Sequence, residues 1–90
     1  MKNANLTGVN LSGTNLSGTN LSGANLNSAN LSGANMRKAN LIRTKLLAVN
    51  LTNTDLSSAD LDESNLASAN LTGANLSRTN LSQANLSQAD

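Results

Sequence analysis

The chain has 90 residues, carries six Lys/Arg against five Asp/Glu for a net charge of +1, and contains no Phe, Trp, Tyr, His, Cys or Pro. This length allows one ordinary domain, and without aromatic side chains it cannot fill a globular core in the usual way. The missing Cys excludes a disulfide framework and thiolate metal sites, the missing His removes the usual general base and the commonest metal ligand, and the near-neutral balance predicts no strong pull toward nucleic acid or an anionic membrane.

No apolar run approaches the length of a membrane span, and the opening MKNANLTGVN lacks the apolar stretch of a signal peptide. Asn-Leu-Ser/Thr triplets begin at Asn5, Asn10, Asn15, Asn20, Asn30, Asn50, Asn70, Asn75, Asn80 and Asn85. All would be glycosylation acceptors in a eukaryotic secretory route, and so dense a coat of glycans does not suit a closely packed rod. These features predict a cytoplasmic, bacterial chain.

The order of the residues excludes the disorder that a Ser/Asn-rich composition alone would allow. From Leu6 onward Leu stands at every fifth position to Leu86, with Met36 the one replacement. The residue before each is Asn, except Lys45, Asp55 and Asp60, and the residue two before is always Ala, Thr, Val or Ser. On an α-helix a five-residue step turns by roughly 140°, so the leucines would form no face. On a flat strand an odd step sends successive leucines to opposite sides. A chain that turns a corner every five residues satisfies the spacing, because each Leu then points to one central axis and stacked turns share a core.

Taken in order, the first segment, residues 1–35, is nearly pure repeat. Its Gly8, Gly13, Gly18, Gly23 and Gly33 all lie two residues after Leu, where a corner calls for a positive φ. The Asn between two inward residues, such as Asn25 between Ala24 and Leu26, is expected to bond local backbone at the bend and to bond other Asn along the rod. Residues 36–49 break the monotony with Arg37, Lys38, Arg43 and Lys45, and place Ile42 and Leu47 where Ser and Thr stand elsewhere. Both apolar residues are expected to be exposed. Asp60, Asp62 and Glu63 then form the one acidic cluster; Asp60 and Asp62 flank an inward Leu61 and are read as solvated charges rather than a cation site. The last segment returns to the regular repeat.

The runs Ala24-Asn25-Leu26, Ala34-Asn35-Met36 and Ala74-Asn75-Leu76 resemble the A-(D/N)-L-x-x consensus of the pentapeptide-repeat family, and the resemblance spans nearly the whole chain. It implies an all-β solenoid, a right-handed quadrilateral β-helix with four pentapeptides per coil. Residues 1–90 then form one domain of about 4.5 coils, spaced by about 4.8 Å, with no obvious terminal caps. Two departures from the family stand out: there is no Phe at a central position, and these 90 residues start and stop inside the repeat, where many members carry a capping helix or a flanking domain. Uncapped coils expose unpaired backbone, which predicts a homo-oligomer formed end to end.

Four pentapeptides per coil place residues twenty apart on one column. Gly18, Lys38, Ser58 and Arg78 share a column, with Arg37 beside it and Asp55 near enough to offset part of its charge. Arg43 stacks on Glu63 as an exposed ion pair, worth at most about 1 kcal/mol. The surface that departs most from the repeat, and the candidate site for a protein partner, is Arg37, Lys38, Ile42, Arg43, Lys45 and Leu47.

Ser and Thr without a His partner predict no nucleophile, so the chain is not an enzyme; no cofactor is expected, and with no aromatic to stack a base no nucleic acid is either. The sequence thus reads as a non-catalytic structural or protein-interaction solenoid of unspecified partner. Two alternatives have a defined basis. One branch of the family mimics DNA and binds gyrase in quinolone resistance, but a net charge of +1 departs from its acidic surface. The column Ser12, Ser32, Thr52, Thr72 suggests binding to ice or another regular surface.

Overall fold

The corner between Leu6 and Val9 sets the pattern for the whole chain. In the computed structural model, which describes residues 1–90, the Val9 N–H donates to the Leu6 carbonyl at 3.2 Å, and Gly8 has a φ of 69°. This is a type II turn, whose third residue takes a positive φ. The same bond recurs every five residues as far as Ala89 N–H to Leu86 O. Positive φ recurs with it, at all six glycines and at twelve other residues, Lys38 and Arg43 among them, with φ between 55° and 60° at the non-glycine sites.

Four such corners close a coil of twenty residues. Parallel bridges join Asn5 to Asn25, Asn25 to Lys45, Lys45 to Asn65 and Asn65 to Asn85, and the other three sides repeat this register. On each side Leu6 N–H to Asn25 O at 2.7 Å, Gly8 N–H to Asn27 O at 2.9 Å and Asn25 N–H to Ala4 O at 2.9 Å set the pattern. All 60 backbone hydrogen bonds are either corner bonds or bonds between stacked coils. A corner every five residues leaves room for only a single bridging residue per side, so each side is a minimal β-bridge rather than an extended strand. The result is the right-handed quadrilateral β-helix that the family resemblance implied.

The axis is filled by Leu. Leu21, Leu26, Leu31, Met36, Leu41, Leu46, Leu51, Leu56, Leu61 and Leu66 are all at most 1% exposed, and Ala24, Ala29, Ala34, Ala39, Val49, Ala59 and Ala69 pack between them. Small residues are needed there because two inward positions per pentapeptide crowd a narrow interior. Thr also fits: the Thr44, Thr54 and Thr79 hydroxyls donate to the carbonyls of Leu21, Leu31 and Leu56 in the preceding coil, at 3.1, 2.7 and 2.8 Å. Their methyls stay in the core while a carbonyl receives the proton, so no polar group is stranded. Ser64 occupies the same register with its hydroxyl buried and unpartnered.

The Asn before each Leu serves the corner. Its Oδ1 accepts the N–H of the residue two ahead, as in Asn20 to Ser22 at 3.0 Å and Asn50 to Thr52 at 3.0 Å, and Asp55 and Asp60 do the same for Ser57 and Asp62. This is the Asx-turn, and it satisfies the one corner N–H that neither the turn nor the ladder uses. The expected ladder of Asn bonded to Asn does not form: each Asn Oδ1 turns to the N–H of its own corner. One amide reaches along the column, Asn80 Nδ2 to Asp60 Oδ1 at 3.0 Å.

Candidate functional site

The four corners give the rod four edges. Corner I stacks Lys2-Asn3, Ser22-Gly23, Ile42-Arg43, Asp62-Glu63 and Ser82-Gln83. Corner II stacks Thr7-Gly8, Asn27-Ser28, Leu47-Ala48, Ala67-Ser68 and Ser87-Gln88. Corner III stacks Ser12-Gly13, Ser32-Gly33, Thr52-Asn53 and Thr72-Gly73, and corner IV stacks Ser17-Gly18, Arg37-Lys38, Ser57-Ser58 and Ser77-Arg78. Corner III carries no charge at all, whereas five of the six basic residues lie on corners IV and I.

The six residues singled out in the sequence therefore form a band around one coil rather than one flat patch. Arg37 and Lys38 on corner IV, with Ile42 and Arg43 on corner I, share the side that carries Asn20, Asn40, Asp60 and Asn80. Lys45 lies on the next side, and Leu47, 42% exposed, sits beyond it on corner II, diagonally across the square from Arg37. Ile42 is only half-buried rather than open. It lines a shallow groove of about 250 Å³ with Lys2, Asn3, Ser22, Gly23, Asn40 and Arg43. The groove exists because Ser22 and Gly23 are small and the coils on either side present Lys2 and Ile42-Arg43. A second groove of about 370 Å³ opens at corner IV, where the small Ser17 and Gly18 lie beside Asn35, Arg37 and Lys38. Gly23 also has a fixed role there: a Cβ on it would collide with the Asn3 Oδ1 folded over it, at a φ of 69°.

The charges are partly paired. Arg43 Nε meets Glu63 Oε2 at 3.4 Å, one coil on, with both side chains open to solvent. Arg37 Nη1 lies 3.7 Å from Asp55 Oδ2 across corner IV. The Asp55 carboxyl is held below its ordinary value of 3.8, first by the Ser57 hydroxyl and backbone N–H that both donate to it and then by the Arg37 guanidinium; partial desolvation opposes these. Lys38, Asp60 and Asp62 take part in neither salt bridge. No three acidic side chains converge to hold a metal ion, and no helix is long and apolar enough to cross a membrane.

Lys45 interrupts the Asn/Asp column and cannot supply the Asx acceptor that Leu47 N–H needs. Asn27, directly beneath Leu47, accepts that N–H instead, with N···O 2.9 Å. Asn27 was not marked in the sequence as a partner of this band. Its signal was there, since it is the one Asn immediately after Leu.

The comparisons with known proteins agree with this geometry. The family model for pentapeptide repeats matches residues 4–41 and 50–88, in eight copies. Among solved structures, the pentapeptide repeat protein Rfr23 from the cyanobacterium Cyanothece 51142 superimposes with a TM-score of 0.92 at 39% identity over 98% of this chain and 58% of its own. A pentapeptide repeat protein from the thylakoid lumen of Arabidopsis thaliana gives 0.90 at 32% identity over 94% of this chain and 59% of its own. HetL from Nostoc sp. strain PCC 7120, a pentapeptide repeat protein involved in regulating heterocyst differentiation, gives 0.62 at 29% identity over 98% of this chain and 55% of its own. The chain thus spans under two thirds of the length of each of these proteins. No curated protein matches it significantly. With an unbroken five-residue register, twenty-residue coils and an axis of stacked Leu, the chain belongs to the pentapeptide repeat family.

Proposed function

We propose that the chain is a non-catalytic interaction scaffold and that it presents the side between corners IV and I to a protein partner. The observation that carries this reading is the contrast between inside and outside over residues 36–49. Every inward position there keeps the repeat, from Met36 and Ala39 to Leu46 and Val49, all buried. The outward positions replace Ser and Gly with Arg37, Lys38, Ile42 and Arg43, and two grooves open beside them. Basic side chains next to a half-buried apolar residue suit a polar protein surface with an acidic component. Leu47 belongs to a separate edge and contributes exposed apolar area there.

Affinity capture with purified chain as bait tests this. The expected result is a protein retained by the unmodified chain and by Leu47→Ser but lost with the double variant Lys38→Glu, Ile42→Ser. Retention by all three baits would remove the assignment of this side.

A further inference from the structure

The side between corners IV and I carries two opposed rows of charge. Arg37, Lys38 and Arg43 lie on one coil, and Asp60, Asp62 and Glu63 lie on the next. The rows are one coil apart, about 4.8 Å. No other side of the rod has this arrangement. Within the chain only Arg43 and Glu63 pair across the two rows, while Arg37 turns round its corner to Asp55. Lys38, Asp60 and Asp62 are left without a salt bridge.

We infer that this side pairs with the same side of a second copy, antiparallel, about a two-fold axis that lies in the contact plane and runs across the rod between the two charged coils. That operation keeps each corner facing its own kind and reverses the order of the coils. The basic row of one copy then faces the acidic row of the other, twice by symmetry, as an isologous contact demands. Arg43 of one copy meets Glu63 of the partner copy at corner I, and Lys38 at corner IV comes over the carboxylate row that begins with Asp60. A parallel pairing, about an axis along the rod, would set Arg43 against Arg37 and Lys38 of the partner copy and is disfavoured by like charge.

The size of the side sets the strength. The molecule measures 24 × 21 × 19 Å, so one side buries at most about 500 Å² per copy, below the roughly 800 Å² per partner of a stable complex. The pairing is therefore weak, driven by charge, and sensitive to salt. It goes beyond the scaffold reading although it uses the same side: purified chain alone tests it, whereas capture of another protein tests that reading.

The test is sedimentation of the purified chain over a wide concentration range at about 0.02 M and about 0.5 M salt, with folding checked by circular dichroism. The unmodified chain is expected to dimerise at low salt and to lose at least about tenfold in association constant at high salt. Arg43→Glu leaves only carboxylates at the two facing positions of corner I, and Glu63→Arg leaves only cations. Each variant alone is expected to be monomeric where the unmodified chain pairs, and an equimolar mixture of the two to form a heterodimer. An unmodified chain that stays monomeric throughout overturns the inference. So does association that both variants retain, which would place the contact at the coil ends or on another side. If either variant fails to fold, the salt series on the unmodified chain still decides, because association that holds or strengthens as salt rises contradicts pairing by charge.

Discussion

Asn27 Oδ1 accepts the backbone N–H of Leu47 from one coil away, with N···O 2.9 Å. Elsewhere on the rod the corner N–H is served by the Asn or Asp two residues before it, as in Asn25 to Asn27 and Asn65 to Ala67. At Leu47 that position is Lys45, whose ammonium is a donor and has no oxygen to offer. The Asn beneath makes up the loss, so Asn27, Lys45 and Leu47 form one coupled unit.

That coupling is measurable. Asn27→Ser should lower stability by about 1 kcal/mol, the usual net worth of one hydrogen bond. In a Lys45→Asn background the local acceptor returns, and Asn27→Ser should cost nearly nothing. Urea unfolding of the two single variants and the double variant gives the coupling directly. Strictly additive effects would mean that positions 27 and 45 act independently, which contradicts the coupling.

Inward and outward positions should differ sharply. Leu56 is fully buried, and Leu56→Ala should cost about 2–5 kcal/mol through lost transfer energy and the cavity left on the axis. Leu47→Ala, on an open corner, should change stability by no more than about 0.5 kcal/mol. Thermal denaturation followed by circular dichroism distinguishes them, and similar losses for both would place Leu47 in a packed contact.

The corners store strain that glycine releases. Ala48 has a φ of 55° and its corner is exposed. A non-glycine residue in the left-handed region costs about 1–2 kcal/mol, while glycine adds unfolded-state entropy of about 0.5–1 kcal/mol. Ala48→Gly should therefore stabilise the rod by up to about 1 kcal/mol, seen as a raised melting temperature.

Acid should act through Asp55. Its folded carboxyl is held below the ordinary value of 3.8 by Ser57 and Arg37. A carboxyl lowered on folding favours the native state while both states are ionised, above 3.8, and that contribution disappears as pH falls through the folded value. Asp55→Asn keeps an Oδ1 for the Ser57 N–H but cannot ionise. Its melting temperature should fall less between pH 5 and acid than that of the unmodified chain, and equal falls would mean that Asp55 carries no part of the acid sensitivity.

Much of this protein was legible before any coordinates. The step from Leu6 to Leu86 suits neither helix nor strand, so spacing alone required a corner every five residues, and Gly8 and Gly23 marked where the positive φ would fall. The Arg43–Glu63 pair followed from the twenty-residue column rule, which also set Asp55 over Asn35 and so near the basic column; that Arg37 is the residue it pairs with came from the structure. Other features needed the tertiary structure. The coil-to-coil ladder and corner bonds decide which backbone N–H remains free, and this is why Asn binds its own corner rather than its neighbour. Burial depends on the size of the residues stacked above and below, and this is why Ile42, beside Ser22 and Gly23, lines a groove while Leu47 stays open. The four-cornered path decides which nearby residues share a side, so the stretch from Arg37 to Leu47, continuous in sequence, is divided between two sides. A five-residue period encodes the direction of each side chain, because that depends on local dihedrals; what each side chain meets depends on residues twenty positions away.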